Sequence, residues 1–381
     1  MVVRCRGDLF TRPRGWTAPE RQWWLLWSGI PGLGVGGLCQ LWEAFGSLEA
    51  AWSAPIDALA AQEGIGPVRL AAIEAQRRRL GPDPLAALPA GGRVLLPGDA
   101  ALPAAFKTLA RPPLLLHWRG RGALWSPLRR ALAVALVGTR RPSSHGLVMA
   151  EAIGAALARS GWPVVSGLAE GIDGAAHRGC LQAGGAPVGV LGTALDRVYP
   201  SHHRQLQQQV ASQGLLLSEQ PPGSRVSAGH FAARNRLQVA LACAVVLVEC
   251  PERSGALQAA QLAWDRGLRL WAVPADASRR SAVGSNRWLG KGATPLLEPA
   301  DLLAALGPGP LAPPAAAGPG CLSLVTTQAD RALLAAVGGG SSLEQLSRRL
   351  GQAGSQLMPQ LLALEVAGLL RAEPGLCWRP A

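Results

Sequence analysis

Short apolar runs alternate with longer helical stretches along residues 133–305, and this alternation restricts the fold more than any other feature. The runs are too short for helices, whereas the stretches between them have the small and apolar spacing of helices. Parallel strands joined by right-handed helical crossovers build a doubly wound sheet. The sequence therefore predicts an α/β domain. Its strand candidates are Ala133–Val137, Pro163–Ser166, Pro187–Leu191, Leu215–Ser218, Ala244–Glu249 and Leu270–Val273, separated by helices at Leu147–Ser160, Ile172–Ala183, Arg204–Ser212, Arg234–Ala242 and Ala256–Arg266.

A chain of 381 residues is too long for one ordinary core, and residues 1–80 are predicted to form a separate all-α domain. Two Gly-x-Gly turns, at Gly32–Gly34 and Gly64–Gly66, each separate two helical stretches. This is the helix-hairpin-helix pattern, whose turn can offer backbone N–H groups to a DNA phosphate. Such hairpins also pack against neighbouring domains, so both roles stay open.

Residues 81–306 are assigned to the α/β domain with an N-terminal extension, in which the run Leu114–Trp118 is a candidate edge strand. Residues 307–320 contain little but Gly, Pro and Ala, and this composition predicts a linker. Residues 321–381 are predicted to form a winged-helix domain. Its third helix carries no Arg or Lys, which favours a protein contact over reading of a DNA groove. The predicted elements are helices at Thr327–Val337, Leu343–Leu350 and Ser355–Gly368, then a hairpin over Leu369–Trp378.

The formal charge of +13 indicates a polyanionic partner such as nucleic acid. A compositional bias is the alternative, because only Lys107 and Lys291 are lysines and nearly all of the positive charge is Arg. The seven cysteines are scattered without metal-ligand spacing, which predicts reduced core residues. No run of 18 apolar residues and no signal-peptide pattern occurs, so a cytoplasmic protein without a membrane partner is expected.

The turn Gly138–Gly146 follows the first strand of the predicted sheet and precedes a helix. Backbone N–H groups in such a turn converge with a helix N-terminus, where the helix dipole favours an anion. Arg140 and Arg141 add cations whose shape suits phosphate. The turn is neither a Walker loop nor the Gly-x-Gly-x-x-Gly dinucleotide motif. It is either a phosphate cradle or an exposed basic turn.

The loops after the other strands should meet this turn at one edge of the sheet, where doubly wound folds bind ligands. They supply mainly small residues, amides and Arg, without a nucleophile–base–acid triad or a metal cluster. His177 with Asp173 or Glu170 is a candidate for acid–base work, and a structural role for His177 is the alternative. A binding protein with no catalytic residue, metal or cofactor is therefore expected. The candidates for nucleic-acid binding are Gly138, Thr139, Arg140, Arg141, Ser166, Gly167, Arg234, Asn235, Arg236, Ser254, Gly255 and Lys291.

This set of motifs resembles the DNA-processing protein A (DprA/Smf) family. The resemblance implies a Rossmann-like domain that binds single-stranded DNA, forms a homodimer, and protects incoming strands and loads RecA recombinase during natural transformation. By motif position, Arg140 should hold a phosphate, while residues 138–139 and 166–167 shape the pocket with their backbone. Residues 234–236 match the Arg-Asn-Arg segment, and residues 254–255 match the Ser-Gly helix start. The resemblance rests on VGTRRPSSHG, SGLAEGIDGAAH, VLGTALDRVYP, LLSEQPPG, FAARNR, VVLVECPERSGAL and GSNRWLGKGA, in that order.

The chain departs from the family pattern at several of these positions. Glu170 stands where some members have a basic residue, Ala232 replaces a usual Pro, and His203 replaces a usual Asn. Ala275 follows Pro274 where Gly is usual, and the Ser-Gly helix continues Ala-Leu-Gln-Ala rather than Ser-Leu-Ile-Thr.

Two other functions remain open. One is a nucleotide-binding enzyme of the nucleoside-monophosphate phosphoribohydrolase type, although the Pro-Gly-Gly-x-Gly-Thr loop of that family is absent. The other is a nucleotide sensor or scaffold whose winged helix recruits a partner.

Overall fold

The computed structural model describes residues 15–86, 93–312 and 328–380. The chain divides into two compact units, residues 1–117 and 118–381. Residues 1–14 of the predicted all-α domain lie outside the described residues, and so do the end of the linker from residue 313 and the start of the C-terminal domain up to residue 327. The domain boundaries expected near residues 80 and 306 stay predictions. No helix among the described residues is both long and apolar enough to cross a bilayer.

The first unit consists mainly of short helices around a cluster of tryptophans. The side chains of Trp24 and Trp27 are fully buried, and the Trp27 ring meets that of Trp52 edge-on with centroids 5.3 Å apart. Both buried indoles donate to backbone carbonyls, Trp24 to Leu114 and Trp27 to Leu48, so their polar edges are satisfied. The helices are α1 (Ala18–Ser28), α2 (Val35–Phe45), α3 (Leu48–Ser53), α4 (Ile56–Ala60) and α5 (Pro67–Leu80), and strand β1 (Val94–Leu95) follows them.

The second unit contains the predicted alternation of strands and helices. Strand β2 (Leu116–Gly120) begins in the first unit, where it pairs antiparallel with β1, and continues into the second. The strands that follow are β3 (Val134–Val137), β4 (Val164–Ser166), β5 (Pro187–Leu191), β6 (Leu215–Ser218), β7 (Ala244–Leu247), β8 (Arg269–Ala272) and β9 (Thr294–Pro295). The helices are α6 (Trp125–Arg129), α7 (Ser144–Arg159), α8 (Ile172–Gln182), α9 (Arg204–Gln213), α10 (Ala228–Ala240), α11 (Gly255–Asp265), α12 (Val283–Gly290) and α13 (Pro299–Leu306).

The sheet has the strand order β2-β6-β5-β4-β3-β7-β8-β9 within this unit. The pairs from β6 through β5, β4, β3, β7 and β8 to β9 are parallel. The chain moves outward from β3 to β6 and then returns to place β7 on the other side of β3. This reversal between β3 and β7 is a topological switch point, where the loops after the two strands separate and leave a crevice.

Strands β3 and β7 consist of branched and small apolar residues, which suits their position at the centre of the sheet. The β3 and β7 side chains are all buried, and Val134 and Val246 pack with Ile153 of α7 in one apolar core. Strands that are covered on both faces consist of continuous apolar residues, which is the pattern found in the sequence. The core therefore fixes the ends of β3 and β7, and with them the loops that face the crevice.

The chain after residue 328 forms three helices and a small antiparallel sheet with the order β10-β12-β11. Leu346, Leu357 and Leu361 lie fully buried in its core beside Trp378. These elements correspond to the helices and hairpin predicted here, and the winged-helix class itself stays a prediction. They are α14 (Gln328–Val337), α15 (Leu343–Leu350), α16 (Gly354–Val366), β10 (Ser341–Ser342), β11 (Leu370–Glu373) and β12 (Cys377–Pro380).

The structure corrects three local predictions. Helix α10 begins at Ala228 rather than at Arg234, so Phe231 lies on the helix and not in the loop before it. Strand β2 begins at Leu116, two residues after the predicted start at Leu114, and ends at Gly120. Strand β9 was not predicted, since two exposed residues produce no periodic signal.

Candidate functional site

The turn after β3 lies against the end of β7 at the switch point. The Thr139 amide donates to the carbonyl of Glu249 at 2.7 Å, and the Thr139 carbonyl accepts from the Ile172 amide at 3.2 Å. A Cβ atom at Gly138 would come within 2.5 Å of the Ile172 side chain and 2.9 Å of the Glu249 carbonyl. A glycine is therefore required for this close approach, and the turn is fixed from both sides.

The first turn of α7 is occupied by a carboxylate of the chain itself. Glu249 is 1% exposed, and its carboxylate accepts hydrogen bonds from the Ser143 amide at 3.1 and 3.2 Å and from the Ser143 hydroxyl at 2.7 Å. A side chain at Gly146 would overlap this carboxylate. The helix N-terminus predicted to help cradle a phosphate thus already holds an anion. Its role in the site is structural.

Arg140 remains exposed above this buried arrangement. Its guanidinium carbon lies 5.1 Å from the ring centroid of Phe231 on α10, a cation–π contact. Within the described part of the chain, the Arg140 guanidinium has no carboxylate partner. Tyr199 extends the aromatic surface, since its ring centroid is 5.1 Å from that of Phe231 and its side chain is 44% exposed. An exposed cation therefore lies beside a half-exposed aromatic pair.

Arg141 is also exposed, and among the described residues no aromatic ring contacts it as Phe231 contacts Arg140. Its amide donates to the hydroxyl of Thr139 at 3.2 Å, which helps to hold the turn. Ser166 and Gly167, at the end of β4, lie inside the site rather than on its surface. The Ser166 hydroxyl donates to the Leu136 carbonyl at 2.7 Å, and the Gly167 amide donates to Asp173 at 3.1 Å.

Arg234 is buried behind the site, in contrast to the DNA contact implied by its motif. It is 6% exposed, and its guanidinium donates to Asp173 at 3.4 Å, to the Asn235 side chain at 3.0 Å and to the Val190 carbonyl. Burial lowers the pKa of the Arg234 guanidinium and raises that of the Asp173 carboxyl, while the attraction between the two groups opposes both changes. Arg234 therefore joins α8, α10 and β5 from within.

The other two residues of the Arg-Asn-Arg segment are also held by neighbouring groups. The Asn235 amide donates to the Gly255 carbonyl at 3.0 Å and so fixes the start of α11. Arg236 forms a bidentate pair with Glu219, with both N–O distances 2.6 Å. Ser254 caps α11, its hydroxyl accepting from the Ala256 amide at 3.2 Å. The carboxylate of Glu219 thus neutralises a cation that the sequence indicated for DNA binding.

His177 is fully buried beneath the site. Burial lowers the pKa of its imidazole to about 3, and the charges of Arg234 and His203 act in the same direction. The ring is neutral at physiological pH and has no exposed atom. This placement supports the structural alternative for His177.

Lys291 does not join the other candidates. It lies just after α12, where its ammonium is 4.7 Å from the Trp288 ring, and that ring is 5.7 Å from Trp264 near the end of α11. Ser254 begins α11, whereas Trp264 lies in its last turn. Lys291 is therefore at the opposite edge of the sheet, about 15 Å away along that helix.

Comparisons with known proteins agree with the motif order. A family model described as DNA recombination-mediator protein A matches residues 93–307. Protein Smf of Synechocystis sp. is 38% identical over 294 residues, covering 77% of this chain and 74% of that protein. A putative DNA processing protein DprA of Mycobacterium tuberculosis is 36% identical, with coverage of 76% and 77%. The structure of DNA processing protein A from Streptococcus pneumoniae aligns with a TM-score of 0.62 at 27% identity, covering 76% of this chain and 98% of that one.

The chain belongs to the DNA recombination-mediator protein A family. For this family member, the structure leaves Arg140 and Arg141 exposed in the turn after β3, and it buries Arg234 and Asn235. Sequence reasoning missed the aromatic pair Tyr199 and Phe231. The composition points the other way, because one tyrosine and four phenylalanines argue against extensive base stacking and favour phosphate contacts.

Proposed function

We propose that this family member binds single-stranded DNA at the switch point, with Arg140 contacting a phosphate and the aromatic pair contacting a base. The observation that carries the proposal is the exposed Arg140, which lies over Phe231 and has no carboxylate partner among the described residues. Cations that follow the backbone, combined with aromatic side chains for stacking, are the usual means of binding a single strand. In a duplex the bases are already stacked on one another, so the aromatic pair favours the single strand.

A binding role is more consistent with this site than catalytic turnover. Three carboxylates around the switch point are held by neighbouring groups: Glu249 by Ser143, Asp173 by Arg234 and Glu219 by Arg236. Glu170 is exposed beside Arg140, but the sequence lacks the Pro-Gly-Gly-x-Gly-Thr loop that would accompany a catalytic Glu in the phosphoribohydrolase family. This distribution counts against the phosphoribohydrolase alternative. The finer proposal, supported by family membership, is a homodimeric recombination mediator without a cofactor that protects incoming strands and loads RecA during natural transformation.

The first experiment measures fluorescence anisotropy of labelled single- and double-stranded oligonucleotides across a salt series. We expect tighter binding to the single strand. Arg140→Ala should weaken it by about 1–3 kcal/mol and reduce the salt slope by about 0.7, the value for one phosphate contact on a single strand.

Arg159→Ala is the matched control, since it removes the same charge from the far end of α7, about 24 Å away. The proposal would be contradicted if single- and double-stranded DNA bound equally weakly and if neither variant changed that affinity. If the chain prefers single-stranded DNA, light scattering then tests whether it forms a dimer. RecA-dependent strand exchange tests whether it loads RecA.

A further inference from the structure

A pocket of about 560 Å³ opens beside Arg140, on the side where α7, α8 and α9 meet. Arg140 lies at its rim and belongs to both the pocket and the proposed DNA site. Strand contacts at Arg140 therefore bring the neighbouring nucleotide to the mouth of this pocket. A role of this pocket in DNA binding rests on the proposed function.

The second arginine of the pocket is already paired. Arg178 forms an ion pair with Glu151 at 3.2 Å, and His202 lies 3.8 Å from Glu170. Among the described lining residues, Arg140 is the arginine without a carboxylate partner. A phosphate is thus attracted to Arg140, whereas the Glu170 carboxylate repels it from its own side of the pocket.

The interior presents both apolar surface and hydrogen-bonding groups. Leu147 and Leu206 contribute apolar side chains, and the exposed amides of Gln205 and Gln209 line the α9 side. A flat ring with donors and acceptors at its edge matches this lining better than a charged group does. The volume is ample for one base.

Glu170 has its hydrogen-bonding capacity free for a ligand. Its carboxylate is 59% exposed, and its 3.8 Å separation from His202 is too long for a hydrogen bond. In the described residues it accepts no other hydrogen bond. A carboxylate accepts from an exocyclic amino group, such as N4 of cytosine. The O4 carbonyl that thymine presents at the same position is an acceptor and is repelled.

We propose that this pocket receives one base of the bound strand, beside the phosphate at Arg140, and that Glu170 selects bases with an amino group over thymine. Glu170 is then a specificity residue rather than a lost phosphate contact.

The test compares homopolymers of deoxycytidine and deoxythymidine, two pyrimidines of equal size, by anisotropy at pH 8 with the full chain. We expect the cytosine strand to bind about three- to tenfold more tightly, the value of one hydrogen bond. Glu170→Gln should bring this ratio close to one, because an amide can donate to O4 as well as accept. Glu344→Gln makes the same charge change at an exposed position on α15 and should leave the ratio unchanged.

The possible results separate the base pocket from the proposed DNA-binding function. Equal affinity of the wild type for both strands, or a ratio that survives Glu170→Gln, overturns the base pocket and leaves the Arg140 site standing. Absence of binding to either strand overturns the DNA-binding function itself.

Discussion

The carboxylate of Glu249 accepts hydrogen bonds from both the amide and the hydroxyl of Ser143, although 106 positions separate the two residues. The contact joins the end of β7 to the first turn of α7. It also places a negative charge at the helix N-terminus, where the dipole stabilises it. The switch-point crevice is therefore closed on this side, and Arg140 is held at its outer surface.

Glu249→Gln should lower the free energy of unfolding by about 1–2 kcal/mol, because it removes the charge while keeping the shape of the side chain. Ser143→Ala removes the helix cap and should cost about 1 kcal/mol. Since the two groups share one interaction, the double variant should lose less stability than the sum of the single losses. Urea unfolding of the four proteins measures this coupling. Additive losses would show that the two side chains act independently.

Gly167 and Gly255 form a matched pair for testing how closely the site is packed. A Cβ atom at Gly167 would overlap the Arg234 guanidinium, whereas one at Gly255 would lie 3.8 Å from the nearest atom, in the Asn235 amide. Gly167→Ala should therefore displace a buried charge and destabilise the chain by about 3 kcal/mol or more. Gly255→Ala should be neutral within about 0.5 kcal/mol. The midpoints of thermal or urea unfolding compare them, and equal effects would contradict the packing described for Arg234.

The sequence predicts the sheet well because each strand depends on a local pattern. The runs at Val134–Val137 and Ala244–Leu247 are apolar throughout, as expected for strands covered on both faces. The positions of β3 and β7 follow, and so does the edge at which the binding loops collect. The predicted start of helix α10, Arg234, is six residues later than the observed start, because Ala228–Ala233 lacks a clear apolar period.

Contacts between distant parts of the chain explain what the sequence could not predict. The motif around Arg234 indicates a cation, but its burial depends on Asp173, 61 positions away. Lys291 follows the last predicted strand, and this position predicts that it belongs to the site. In the structure it lies after α12, beside Trp288 and at the opposite edge of the sheet. From the sequence, Glu249 is only the last residue of the predicted strand Ala244–Glu249, since nothing local indicates that it fills a helix N-terminus.

His177 should make the stability of the chain depend on pH in mildly acidic solution. Its pKa is about 3 in the folded chain, because burial disfavours the charged ring, and close to 6.5 when unfolded. Between these values the unfolded chain binds a proton that the folded chain does not. The stabilisation is therefore complete above pH 6.5 and is lost as the pH falls, by about 1.4 kcal/mol per unit.

His177→Phe removes this titration, so its urea midpoint should fall less steeply than that of the wild type between pH 6.5 and 4. The other titrating groups are common to both proteins and cancel in the comparison. His177→Gln is a smaller substitution with the same expected effect on the slope. Parallel pH profiles for the three proteins would show that His177 is not buried in its neutral form.

Glu219 should restrain single-stranded DNA binding, because it holds Arg236 in a bidentate pair at the edge where the strand is proposed to bind. Glu219→Gln leaves a neutral partner and frees the charge of Arg236, so affinity should rise and the salt slope should steepen by about 0.7. Adding Arg236→Ala should reverse both changes, which separates release of this arginine from the general loss of a negative charge. Glu344→Gln supplies the same charge change without a neighbouring site cation and should leave the slope unaltered. If Glu219→Gln and Glu344→Gln behave alike in the anisotropy titration, Arg236 does not reach the bound strand.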